Sequence, residues 1–285
     1  MPEKITEILG FYSLLNRPLT LPELRRAVSE NGEASFLSIL EKLDGLVRSG
    51  AVFRSQGFYA AKPFDVSDRK FQDVLADKKW KVFLKRARFF SLVPFADFVL
   101  GGGSMCLGNV GGRSDFDVVI FARRNRIFTA RFFAALVFGL FGYRRKRIMT
   151  HDEAADKICL NHFVTAASFG AGKNGNIYQR QLFKNLVPLC GSPEILGNLF
   201  GKERFNDLRF RPAGRFAPKK APEAALGGTA GDWLEKLLKK IQILRIENSL
   251  KKEKTGYAPR FKYTDEELEF HPDNKIEAKL TTRDL

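Results

Sequence analysis

The sequence predicts an α+β protein. Helix-period apolar patterns occupy both ends of the 285-residue chain, and short apolar runs of strand length alternate with helical stretches between them. Hydrophobic residues at 44% and charged residues at 28% are the balance of a folded chain, not a disordered one. The length is ample for a sizeable core, in one large domain or in two to three small ones.

The N-terminal element order is three helices and a hairpin. Apolar positions 5, 8, 9, 11, 12, 14 and 15 place a helix over Ile5–Asn16, stopped by Arg17-Pro18. Thr20 is a good N-cap for a second helix, with Pro22 in its first turn and Glu23 three residues on, the pattern of a capping box. A third helix is predicted over Ala34–Arg48 from the spacing of Phe36, Ile39, Leu40, Leu43, Leu46 and Val47. Two short apolar strands then flank Gln56-Gly57. This arrangement resembles a winged helix. A DNA-reading version needs a basic third helix, but here Lys42 and Arg48 are opposed by Glu33, Glu41 and Asp44. Sequence-specific DNA reading therefore stands beside a protein-interaction or packing role.

Residues 66–94 read as a helical connector, with Trp80, Phe83, Ala87 and Phe90 on one side and Pro94 at its end. Strands are predicted at Ala96–Leu100, at Phe116–Phe121 and at Lys157–Val164, with helices at Arg126–Tyr143 and Ile177–Leu186. From Gly191 to Gly231 the Gly-, Pro- and Lys/Arg-rich composition predicts a long connection. Asp232 caps a strong helix, and a polar tail follows, with an isolated Phe270-His271-Pro272-Asp273. The domain boundaries are accordingly 1–65, 66–94, 95–190 and 191–285.

Cys106, Cys159 and Cys190 are widely spaced and odd in number, which argues against a disulfide framework or a structural zinc site and fits a reducing cytoplasm. No signal peptide is expected, because the N-terminus carries an early Glu and lacks a small-residue cleavage site. The apolar run Phe132–Phe141 is far short of the ~20 residues a membrane span needs. A buried helix with basic ends fits it better than a membrane-surface helix.

The chemistry is concentrated in VLGGGSMCLGNVGGRSDFDVVIF, residues 99–121. A phosphate-binding P-loop would need Lys-Ser/Thr after the glycines, and a dinucleotide fingerprint would need Gly where Cys106 stands. What remains is strand, Gly-Ser, ten residues, Asp-x-Asp, strand. Asp115 and Asp117 are two apart on a strand and so share a face. Such a pair repels itself unless a divalent cation sits between the carboxylates. Gly102 and Gly103 let the backbone approach a ligand, and Ser104 with the following amides can hydrogen-bond phosphate.

This pattern resembles the nucleotidyltransferase superfamily typified by DNA polymerase beta and kanamycin nucleotidyltransferase, and more narrowly a bacterial group in which a winged helix precedes such a domain. The resemblance implies a central mixed sheet with flanking helices and a C-terminal helical segment. It further implies Asp115 and Asp117 as metal ligands and catalytic groups for Mg²⁺, and Gly102, Gly103 and Ser104 as the grip on a nucleoside triphosphate, with ATP the expected donor. An acceptor oxygen would attack the α-phosphorus and release pyrophosphate.

The family's third carboxylate lies on a later strand, and here the sequence departs from it. The expected position is Asn161, uncharged and unable to act as a base. Asp156 lies roughly 17 Å earlier along an extended strand. His162 is either a base or a packed, hydrogen-bonded residue, and it cannot face the metal together with Asn161.

No acid occurs between Asp117 and Asp152, while Arg123, Arg124, Arg126, Arg131, Arg144, Arg145, Lys146 and Arg147 do, within a net charge of +16. That field favours polyanions, including nucleic acid. Arg131, inside the apolar helix, is expected to face inward toward phosphate. Two functions follow: a Mg²⁺-dependent transferase moving a nucleoside monophosphate to an acceptor the sequence leaves open, or a catalytically degenerate nucleotide- or DNA-binding regulator. A third is an RNA- or membrane-surface protein driven by charge.

Overall fold

Thr20 and Glu23 close the capping box that the sequence predicts. The Thr20 amide donates to Glu23 Oε2 at 2.8 Å and the Glu23 amide donates to Thr20 Oγ1 at 3.4 Å. In the computed structural model, which describes residues 2–29, 34–146, 151–169, 176–200, 209–212, 218–251 and 260–271, this box starts helix α2 (Leu21–Val28). Helix α1 (Pro2–Leu14) precedes the short strand β1 (Leu19–Thr20), and α3 (Phe36–Arg48) begins at the N-cap Ser35. The hairpin β2 (Phe53–Ser55) and β3 (Phe58–Ala60) turns at Gln56 and Gly57, both with positive φ, the conformation a tight two-residue turn needs. Strand β1 pairs antiparallel with β3, giving three helices on a three-stranded sheet around Ile5, Leu9, Phe11, Leu24, Ile39 and Leu43.

Helix α4 (Val66–Ala87), followed by a 3₁₀ turn (Arg88–Leu92), joins this unit to the rest. Its first turns bring Arg69, 4% exposed, onto Glu23 at 2.8 Å and Asp73 at 3.1 Å, and onto the Pro18 carbonyl. Arg17 bonds the same two acids, each at 3.2 Å. Burial alone would raise the Glu23 pKa. The Arg69 hydrogen bond, the Thr20 amide and the two guanidinium charges outweigh it and hold the carboxyl below its ordinary 4.5. A depressed acid contributes stability above its unfolded pKa and loses it as pH falls through the folded value. Glu23→Gln is therefore expected to cost about 1–2 kcal/mol at pH 7. The gap between variant and wild type in urea melts should shrink below pH 4.5. A gap unchanged at pH 3 would show that the ion cluster contributes nothing.

The central sheet has the order β8 (Arg211–Pro212), β7 (Val187–Gly191), β4 (Ala96–Gly101), β5 (Phe116–Ala122), β6 (Ile158–Val164), β10 (Glu267–His271), β9 (Arg260–Tyr263). Its middle strands, β4, β5 and β6, match the predicted runs. Between them lie α5 (Gly103–Leu107), α6 (Ile127–Leu140) and α7 (His151–Ala154). Strands β4 and β5 are antiparallel and β5 and β6 parallel, so the sheet is mixed. Phe83 of α4 stacks on Phe116 of β5 at 4.6 Å between ring centroids, which plants the connector under the strand carrying the aspartates.

Two regions differ from the sequence reading. Helix α8 (Ile177–Asn185) ends where expected, but the next residues form β7 (Val187–Gly191), paired with β4. Pro188 is tolerated there because it sits at a register shift. Gly191 has φ 130°, and a Cβ on it would lie 2.4 Å from the Asp97 carbonyl oxygen. The stretch read as a long connection contains α9 (Pro193–Phe200), β8 (Arg211–Pro212) and α10 (Lys220–Ala225), followed by α11 (Thr229–Lys251). Glu223 of α10 accepts from the Phe95 amide at 2.9 Å and bonds Arg123 at 3.1 Å.

The polar tail also joins the sheet. Strands β9 (Arg260–Tyr263) and β10 (Glu267–His271) pair with each other, and β10 runs antiparallel beside β6, Leu268 opposite Phe163. Of the isolated Phe-His-Pro-Asp, Phe270 packs on the core, while Pro272 and Asp273 lie outside the described residues, as does Arg147 of the basic run.

Helix α11 lies on α6 through polar locks. Glu235 accepts from the Phe128 and Thr129 amides at 2.9 and 2.8 Å, filling the open N–H groups of α6. Gln242 donates to the Phe128 carbonyl at 2.8 Å. In the apolar run Phe132–Phe141, Ala134 and Phe138 are fully buried, while Phe132, Leu136, Leu140 and Phe141 are exposed. Among the described residues no helix is long and apolar enough to cross a membrane.

Candidate functional site

Strand β4 ends in glycines because the next strand's carboxylate occupies the space a side chain would need. Gly103 has φ 60°, and a Cβ there would lie 1.9 Å from Asp117 Oδ2. The Gly102 amide donates to the Asp117 carbonyl oxygen at 3.0 Å, tying the turn to β5. Helix α5 then carries Ser104, and Gly108 ends it in the left-handed conformation. The N-terminal unit grips this helix: Arg17 donates to the Gly108 carbonyl at 2.7 Å and Leu107 is buried in the N-terminal core.

Asp115 and Asp117 are brought together as expected, and the third group beside them is Cys159. One ligand atom from each of the three lies within 4.8 Å of the others. The register sets Asp117 directly against Cys159 on the parallel strand β6. Asn161, expected at the third position, lines the adjacent cavity. The pairing shifts between Asp117/Cys159 and Val119/His162, so β6 carries one residue more than β5 over this stretch. Leu160 and Asn161, neighbours in sequence, both line the adjacent cavity. The register between β5 and β6, which has no local sequence signal, sets Cys159 opposite Asp117, and the one-residue bulge follows that pair.

Asp156 is equally remote from this role: Lys79 of α4 holds its carboxylate at 2.6 Å. His162 is hydrogen-bonded, with Nε2 3.3 Å from Glu267 Oε1. With Glu267 and Glu269 it forms a second grouping close enough to hold a cation, but the Lys262 ammonium is already 3.1 Å from Glu267 and 3.8 Å from Glu269.

The electrostatics of the aspartate pair are those of a site built for added positive charge. Desolvation, then repulsion from Asp115, pushes the Asp117 carboxyl up to about 7, while Arg145 and the Cys159 thiol pull the other way. Arg145 Nη1 sits 2.6 Å from Asp115 Oδ2 and supplies part of the charge. Burial, then the two carboxylates, drive the Cys159 thiol well above its ordinary range, so it stays protonated at neutral pH. The donor set suits a hard cation. The two carboxylates and the thiol lie close enough to hold a metal ion, and the carboxylates are the hard ligands among them.

Beside the pair opens a cavity of about 400 Å³. Arg131, Arg144, Arg145, Lys146 and Arg245 line it, and no carboxylate does among the described residues. Arg131 faces inward as its place in the apolar helix predicted, donating to Gln242 Oε1 at 2.6 Å with its guanidinium 4.7 Å from the Phe270 ring centre. Desolvation, then Arg144 and Arg245, lower its pKa to about 10. Arg145 belongs to both places, paired with Asp115 and lining the cavity. Neither Arg245 on α11 nor the wall residues Phe261 and Phe270 stood out in the sequence as site residues, because all three come from segments more than a hundred residues beyond Asp117. No protein-family model, no curated protein and no solved structure matches this chain.

Proposed function

We propose that the chain is a Mg²⁺-dependent nucleotidyltransferase, with a winged-helix unit at residues 1–65 and a nucleotidyltransferase-like core built on β4, β5 and β6. The observation that carries the reading is the fit between the glycine turn and the aspartate pair. Asp117 occupies the space left by the missing Gly103 side chain, while Asp115 shares its face within ligand distance. A merely structural pair of acids would not need a bare, left-handed glycine against it.

Asp115 and Asp117 would hold the metal, which neutralises the negative charge of a triphosphate and of the departing pyrophosphate. Gly102 and Gly103 would form the phosphate-facing turn, with the Ser104 hydroxyl donating to a phosphate oxygen, the Gly102 amide itself being bonded to the Asp117 carbonyl. Arg145, 2.6 Å from Asp115 Oδ2, orients that carboxylate. Cys159 keeps its proton, so it offers the acceptor no base.

That last point favours a second reading from a different class. A neutral thiol where the superfamily has an acid supports a nucleotide-binding regulator with little or no transfer. The face of α3 mixes Lys42 and Arg48 with Glu41 and Asp44, which suits a protein contact better than a DNA groove.

The test is label transfer and pyrophosphate release from α-labelled ATP with Mg²⁺, compared with Asp115→Asn plus Asp117→Asn. The transferase reading expects release that stops on chelation and in the double variant. Metal-dependent ATP binding without release selects the regulator. Binding that ignores both aspartates removes both readings.

A further inference from the structure

Arg131, Arg144 and Arg245 line the cavity beside the aspartates, and no carboxylate lines it among the described residues. The charges acting on Arg131 are Arg144 and Arg245, both repulsive, and its own hydrogen-bond partner is the uncharged Gln242. Keeping such a group partly out of water is unfavourable unless an anion completes it. The remaining wall is apolar and aromatic, with Phe261 and Phe270 on β9 and β10 and Phe132 on α6. A volume of about 400 Å³ is that of a small-ligand site and not a water pocket. Only the folding of the tail strands onto β6 closes it, since β9 and β10 bring both tail aromatics.

We propose that this cavity binds an organic phosphate carrying a flat ring, with the phosphate on Arg131, Arg144 and Arg245 and the ring against Phe261 and Phe270. Guanidinium groups match phosphate oxygens in pairs, and an aromatic face takes a planar ring by stacking. Because Arg145 lines the cavity and also bonds Asp115, the ligand lies next to the aspartate pair. On the nucleotidyltransferase reading, on which this role alone rests, the ligand is the acceptor, and acceptors are phosphorylated ring compounds.

Metal separates the two sites. A triphosphate at Asp115 and Asp117 needs a divalent cation, whereas the cavity carries its own positive charge. The experiment is calorimetric titration of the full chain in EDTA with ADP, adenosine and inorganic phosphate as probes. ADP is expected to bind at least tenfold tighter than either adenosine or phosphate alone, and to weaken as salt rises. Arg131→Gln and Arg245→Gln are each expected to weaken ADP by about tenfold, the loss of one charge-assisted hydrogen bond. Arg245 is exposed, so its variant tests the site even if the Arg131 variant fails to fold. Asp115→Asn plus Asp117→Asn is expected to leave ADP binding in EDTA within a few-fold of wild type. Equal affinity for ADP and adenosine, wild-type affinity in the Arg245 variant, or no binding without metal overturns the proposal. Failure of the transferase reading looks different: no pyrophosphate release, with ADP still bound in EDTA, removes the acceptor role and retains the site.

Discussion

Asp117→Asn is expected to stabilise the metal-free protein above pH 7 and, on the proposed transferase function, to reduce metal-dependent nucleotide transfer by about a thousandfold. The activity loss follows from removing one ligand charge: metal stabilisation of transferring phosphate amounts to several kcal/mol, and ~4 kcal/mol is roughly three powers of ten. The stability gain follows from linkage. The Asp117 carboxyl is pushed from its ordinary 3.8 up to about 7 by desolvation and by Asp115. A carboxyl raised in the folded state holds its proton longer than in the unfolded chain. Stability therefore falls as pH rises through the window from 3.8 to about 7, and the full cost is present above it. Asparagine carries no such cost and keeps the backbone carbonyl that accepts from the Gly102 amide. Thermal melts in EDTA at pH 5 and pH 8 check this: the gain should be larger at pH 8. A lower midpoint for the variant at pH 8 would mean that Asp117 is a structural group and not a strained ligand.

Gly103→Ala is expected to destabilise the fold by about 3 kcal/mol or more and to abolish metal binding. Two costs add. The residue sits at φ 60°, where a non-glycine residue pays ~1–2 kcal/mol. Its new Cβ would also lie 1.9 Å from Asp117 Oδ2, 2.7 Å from Cγ and 2.9 Å from Cβ, so the aspartate or the turn must move. Neither contact is the far end of a long flexible chain. The control is Gly112→Ala, whose Cβ meets nothing within 4 Å and whose φ is not positive. Urea melts with a metal titration separate the outcomes. A Gly103 variant that matches the Gly112 variant in both would show that the close approach of turn and aspartate has no function.

Much of the fold was legible because its causes are local. Thr20 and Glu23 announce a helix start by residue type and spacing, and the structure forms both bonds of the box. Strands β4, β5 and β6 were visible because a strand at the centre of a sheet is apolar along its whole length. Strand β7 was not visible, because Pro188 argues against a strand and only the register shift beside Leu100 accommodates it. Strands β9 and β10 were hidden for another reason. The partner residues of β10 on β6 lie about a hundred positions away, Leu268 against Phe163, and β9 pairs only with β10, so both polar segments become strands once that edge exists.

The acidic pair of the candidate site and its glycine turn were readable from residue spacing alone. Two acids two residues apart on a strand must share a face, and a glycine turn must lie where the preceding strand ends. Tertiary structure decided what surrounds them. The register of β6 against β5 placed Cys159 opposite Asp117, α4 drew Asp156 away with Lys79, and the returning tail enclosed the arginine cavity. Side-chain direction along one strand is a property of the chain, whereas register between strands and the meeting of distant segments are set by packing, which no single segment encodes.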